Sequence, residues 1–255
     1  MITDPIFYLC AIPAVIVVGI SKGGFGGSIA LLGVPLMTLV ISPIQAAGIM
    51  LPILVLMDLI AVASYRRTFD KTVLIMTLPG AFVGIALGYA LASSVDEAMV
   101  RLMVGLVAVV FSLDHWVLKR RRPSDHVPPA HSPVKGTLWG ALAGFTSFVS
   151  HAGGPPYQMY AIPLQMEKRM FAGTAVMFFF ALNVTKLVPY FLLGQFSTAN
   201  LETSAVLFPV AIAAILLGIW LVKVVPQEAF YRVLYVFVFV VGLKLIWDGA
   251  TSLLM

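Results

Sequence analysis

Cysteine is nearly absent from this chain of 255 residues: Cys10 stands alone, which excludes an internal disulfide and any multi-cysteine metal site. Charge is scarce too, with 16 basic and 11 acidic residues, and no stretch is polar enough or long enough to make a second, soluble domain. So few charges cannot cover a solvated surface of ordinary size. No nucleotide-binding motif is present, and no nucleophile and base stand at a recognised spacing, so the sequence points away from ATP-driven transport and from an enzyme. No cofactor is implied, and His126 and His131, flanked by prolines, give little support for a metal.

What the chain does have is apolar length. Hydrophobic residues make up 60% of it and the mean hydropathy is +1.01, the composition of a bilayer protein. A net charge of +5 could suggest nucleic acid, but the basic residues gather in short loops between apolar runs. That distribution is the positive-inside signature of a membrane protein and leaves no nucleic-acid surface. No Lys or Arg precedes Lys22 and residues 6–20 show no small-residue cleavage pattern, so the first apolar run is expected to stay rather than be removed as a signal peptide.

Apolar runs fall at 6–20, 28–41, 44–65, 72–92 and 98–118, and again at 137–150, 157–166, 170–193, 203–222 and 228–250. The two halves repeat one another. Pro79, Ala81, Ile85, Leu87 and Gly88 recur as Pro209, Ala211, Ile215, Leu217 and Gly218; Gly48, Asp58 and Tyr65 recur as Gly173, Asn183 and Tyr190. The expected architecture is therefore an all-α polytopic membrane protein, a single transmembrane domain over 1–255. Within it lie repeat 1 (6–118), a cytoplasmic linker (119–135) and repeat 2 (136–250). The first two segments of each repeat read as short: 15 residues reach roughly 22 Å against a hydrocarbon core of about 30 Å. They are expected to meet at Gly-rich breaks inside the membrane, as re-entrant hairpins or tilted partial spans.

Of the 16 basic residues, 11 sit in the loops 66–71, 119–135, 168–169 and at 223, whereas 42–45, 93–97, 194–203 and both termini carry none. The basic loops of one repeat correspond to the uncharged loops of the other, so the copies are expected to insert in opposite senses, with both termini outside.

The first break reads Ser21, Lys22, Gly23, Gly24, Phe25, Gly26, Gly27, Ser28, and the second His151, Ala152, Gly153, Gly154, Pro155, Pro156. Glycine lets the backbone turn and a ligand approach main-chain amides, and a helix starting after each break would aim free N–H groups at mid-membrane. Two such ends, with Lys22 and His151 beside them, make an anion site. Glycine clusters also serve close packing, the reading taken for Gly80, Gly84, Gly88 and for Gly136, Gly140, Gly144. Asn183 and Lys186, three apart on one helix face within an apolar run, point to a cavity, although Lys186 could instead reach the surface. Asp58, the counterpart of Asn183, is a candidate for ion coupling as a proton carrier, or a counter-ion to Lys22 or Lys186, or a structural ion pair.

The breaks SKGGFGG and SHAGGPP, with NVTKLVPY following, resemble the TauE/SafE sulfite exporter family, also called the toluene-sulfonate uptake permeases. The resemblance implies a multi-pass carrier of a small sulfur-containing anion such as sulfite, sulfoacetate or a related organosulfonate. It implies substrate contact at Lys22, Gly23, Gly24, Gly26, Gly27, His151, Gly153, Gly154, Asn183 and Lys186, with Ser28 added from the break itself. The reading is a secondary transporter in the bacterial inner membrane, coupled to an ion gradient. An anion channel, a membrane subunit of a larger complex and an intramembrane enzyme using His151 stand as alternatives, and a homodimer is left open.

Overall fold

A computed structural model describes residues 1–27, 29–91, 97–119 and 130–254. Among these residues the chain is wholly helical: α1 (Pro5–Gly24), α2 (Gly33–Met37), α3 (Pro43–Tyr65), α4 (Lys71–Ala90), α5 (Glu97–Lys119), α6 (Pro133–Ser150), α7 (Gly154–Ala161), α8 (Lys168–Leu192), α9 (Thr198–Val224) and α10 (Gln227–Leu254). Short 3-10 turns occupy Ile29–Leu32 and Ile162–Leu164. Helix starts follow local chemistry. The side chains of Ser42, Asp70, Ser132, Glu167 and Ser197 each accept a hydrogen bond from a free backbone N–H in the first turn of α3, α4, α6, α8 and α9.

Each of the ten expected apolar runs is a helix, but the first member of each pair is longer than expected. α1 continues through Ser21–Gly24 to 20 residues, about 30 Å, and α6 has 18, about 27 Å. The glycines of the first break do not stop α1, because a helix only pays for Gly in entropy and here packing against α9 offsets it. The short members are α2 and α7. α1, α3, α4, α8, α9 and α10 are long and apolar enough to cross a bilayer.

Close backbone approach at glycine sets the packing. A Cβ on Gly80 or Gly84 would stand 2.0 Å from the carbonyl oxygen of Thr137 or Ala141, and one on Gly140 or Gly144 would meet Thr77 or Ala81 as closely. α4 and α6 therefore touch backbone to backbone, and the residue numbers rise together along the contact, so they run parallel. Gly19 against Ala214 and Gly23 against Gly218 bring α1 and α9 together in the same parallel way. α5 runs antiparallel to α10, with Ala98 beside Gly249 and Gly105 beside Gly242. α3 is antiparallel to α8, since Asp58 meets Asn183 while Thr68, just past α3, meets Gly173 near the start of α8.

The loops sort to two ends. At one, Asp70 N–H donates to Thr174, Asp70 lies 3.8 Å from His131, and Lys168 Nζ donates to the Lys223 carbonyl, which gathers Arg66, Arg67, Lys71, Lys135, Lys168, Arg169 and Lys223. At the other, the amino terminus pairs with Glu202 at 2.7 Å and Gly48 abuts Gln195.

Candidate functional site

Residues of the two breaks line one cavity, Lys22 and Gly27 from the first and His151 and Gly154 from the second. Lys22, in the last turn of α1, projects towards α3, and its Nζ lies 2.7 Å from Asp58 Oδ1, an ion pair by distance without hydrogen-bond alignment. Asn183 on α8 donates to the other carboxylate oxygen at 2.6 Å. Asp58 and Asn183, repeat counterparts in the sequence, thus touch each other. One turn on, Lys186 donates to the carbonyl and hydroxyl of Ser147 on α6 at 3.2 and 3.1 Å. Asp58 and Lys186 are fully buried and Lys22 is 7% exposed. Charges this deep are costly unless they are paired or serve a site.

Lys22, Ser147, His151, Asn183 and Lys186 line one cavity, together with Gly27, Gly154 and the ring of Phe179. It leaves about 30 Å³ in which the centre of a water molecule can sit. One water needs roughly 10–15 Å³ by that measure, so the space suits a solute of a few heavy atoms. Two ammonium groups face one carboxylate here. An ammonium has three donors, and Ser147 takes two from Lys186; among the described residues no carboxylate pairs with it. Counted as formal charges, the cavity thus sets two basic side chains against one acid, and among the described residues Lys186 keeps one donor beyond those Ser147 takes.

The candidates divide by position. Gly27 and Gly154 line the cavity, but Gly23 and Gly24 face α9, where a Cβ would lie 2.6 Å from the Ile215 carbonyl or 2.0 Å from Val222. Gly26 and Gly153 are not among the lining residues; Gly26 abuts Gln158 and Phe171, and Gly153 abuts the Ala143 carbonyl. Ser28 lies outside the described residues. Gly26, at φ +64°, and His151, at φ +53°, both adopt the left-handed backbone that ends a helix, and they stand 125 residues apart, as Asp58 and Asn183 do.

Helix starts differ from the expectation. The first break is the C-terminal turn of α1, followed by a 3-10 turn and the five-residue α2, so it offers carbonyls and a lysine rather than N–H groups. Gly23 O accepts from Tyr65 at 2.9 Å and Phe25 O from Gln158 at 2.8 Å. The second break does open a helix, α7, but Pro155 and Pro156 have no N–H, which leaves Gly153 and Gly154 as the donors at its start. Basic groups at the cavity thus come from side chains more than from helix dipoles.

Three further residues at or beside the cavity are not among the site candidates read from the sequence. Ser147 is the counterpart of Lys22 at the 125-residue displacement, a signal already in the repeat. Phe179 precedes Asn183 and Lys186 by four and seven residues, so it shares their helix face; its ring lies 5.8 Å from Lys22 Nζ. Tyr190 hydrogen-bonds His151 Nε2 at 2.9 Å and could be found as the repeat partner of Tyr65.

An all-helical bundle with six helices long and apolar enough to cross a bilayer, among the described residues, has the architecture of a polytopic membrane protein. The profile of the sulfite exporter TauE/SafE family matches residues 11–245. The chain belongs to that family, a multi-pass membrane transporter and not an enzyme. No curated protein and no solved structure matches.

Proposed function

We propose that this protein is a secondary transporter that carries a small sulfur oxyanion, sulfite or a compact organosulfonate, through the cavity between the two glycine breaks. The observation that carries the reading is the buried imbalance of basic and acidic groups: among the described residues, Lys22 and Lys186 stand against Asp58 alone, with a donor of Lys186 beyond those Ser147 takes. A pyramidal oxyanion with three oxygens matches convergent N–H donors from Lys186, Asn183 and the Gly154 backbone, and it would neutralise the excess charge. Lys22 holds Asp58 and adds field. The family supplies the chemical class, and the small volume favours its smaller members.

The bundle consists of two inverted repeats, 6–118 and 136–250, joined by a cytoplasmic linker, with both termini outside the inner membrane. Antiparallel pairing of α3 with α8 and of α5 with α10, each helix lying beside its own counterpart, supports this arrangement. So does a repeated hydrogen bond: Tyr65 reaches Gly23 O at 2.9 Å, and Tyr190 approaches Phe148 O at 3.5 Å, both members displaced by 125 residues. Rocking of one repeat on the other would expose the cavity to each side in turn.

The test is counterflow of labelled sulfite into proteoliposomes by wild type and Lys186→Met. Wild type should show saturable exchange, and the variant should lose at least about ten-fold in affinity, the equivalent of ~1.4 kcal/mol. Unchanged exchange in Lys186→Met, or unsaturable flux in the wild type, overturns the reading.

A further inference from the structure

On the outside of the bundle, an apolar groove of about 520 Å³ runs along the seam of α4 and α6. The glycine contact that draws these helices together at Gly84 leaves a trough, walled by Leu87, Leu138, Leu142 and Phe145. Leu87, Leu138 and Leu142 are 46–61% exposed, so the wall faces the surroundings of the bundle. Lys135 closes one end, at the face where the basic loops gather. Among the described residues no carboxylate pairs with its ammonium.

We propose that this groove holds one acyl chain of an anionic phospholipid, with the headgroup phosphate against Lys135. Three observations select this occupant. From Lys135 to Phe145 is ten residues, about 15 Å along α6, which is roughly half the ~30 Å hydrocarbon core and so the depth of a single leaflet. The walls are almost wholly apolar while the mouth is cationic, which matches a chain below a phosphate and mismatches a zwitterionic headgroup of no net charge. A second copy of the protein fits worse. Copies inserted in one membrane share their orientation, so a two-fold contact across this seam would set Lys135 and its basic neighbours against their own images. The site is independent of the transported anion.

The experiment is native mass spectrometry of the purified full chain titrated with phosphatidylglycerol or phosphatidylethanolamine. Wild type should retain phosphatidylglycerol in preference, and Lys135→Gln should reduce that preference about five-fold, the fold-change for the ~1 kcal/mol that a lysine near an anionic surface contributes. Leu142→Trp, which fills the trough, should lower retention of both lipids. Should the tryptophan variant fail to fold, Lys135→Gln alone decides. Equal retention of the two lipids by wild type, an unaltered preference in Lys135→Gln, or a dimer cross-linked through Leu142→Cys overturns the proposal.

Discussion

Lys22 and Lys186 are both buried ammonium groups, yet their surroundings assign them opposite roles in stability. Lys22 is paired with Asp58, so removing it strands a buried carboxylate whose other support is the Asn183 amide. Breaking such a pair costs about 3–5 kcal/mol, whereas replacing both members by apolar groups is often neutral. Lys22→Met should therefore lower the denaturation midpoint in detergent, and the double variant Lys22→Met, Asp58→Leu should recover most of the loss. Lys186 is held by neutral groups of Ser147, so Lys186→Met removes an uncompensated charge and should leave that midpoint unchanged or raised. Equal destabilisation by the two single variants would contradict the assignment. The sequence made Lys186 visible as a mid-segment charge and Lys22 as a cation on the first glycine break, and offered Asp58 as proton carrier, counter-ion or structural pair. It could not choose, because the pairing depends on how α1, α3 and α8 cross. Geometry favours the counter-ion to Lys22, and transport by Asp58→Asn should accordingly keep its dependence on a pH gradient while its thermal midpoint falls.

At the scale of elements, glycine carries two meanings that spacing alone separates only in part. The series Gly80, Gly84, Gly88 and Gly136, Gly140, Gly144 was legible as a contact stripe, because four-residue spacing keeps one face of a helix bare. The structure shows the two stripes packed on each other. The clustered glycines at Gly23 and Gly24 have no such period, and the sequence reading treats them as a break for substrate. They instead seat α1 on α9, whose Gly218 approaches Gly23 in return. That contact joins residues almost two hundred positions apart, so nothing local announces it. The prediction follows from the space available. Gly23→Ala and Gly84→Ala should each destabilise the bundle by about 1–3 kcal/mol, the cost of forcing atoms into a filled contact. A Cβ at Gly194 meets nothing within 4 Å, so Gly194→Ala should cost only the strain of its left-handed backbone, φ +67°, about 1 kcal/mol. Denaturation of the three variants ranks them; a Gly194→Ala loss as large as the other two would break the argument.

For the whole molecule, the ten apolar runs and their order came through from hydropathy, because a helix in lipid must satisfy its own backbone and so announces its length. The reach of α1 and the 3-10 turn after it did not, since helix continuation through glycine is decided by a distant partner. Charge placement gave the ends: among the described residues, the loops that collect Lys and Arg in the sequence meet at one end of the bundle, with the amino terminus and residues 195–203 at the other. If the copies are inverted, a polar loop and its repeat counterpart must lie on opposite faces of the membrane. Thr72 and Ala199 lie in the first turns of the counterpart helices α4 and α9, next to such loops, and both are exposed. In a Cys10→Ser background, Thr72→Cys should react with a membrane-impermeant maleimide only after the cells are opened, and Ala199→Cys in intact spheroplasts. The same sidedness for both would mean that the repeats are parallel, and a shared central cavity reached alternately from two faces would then lose its structural basis.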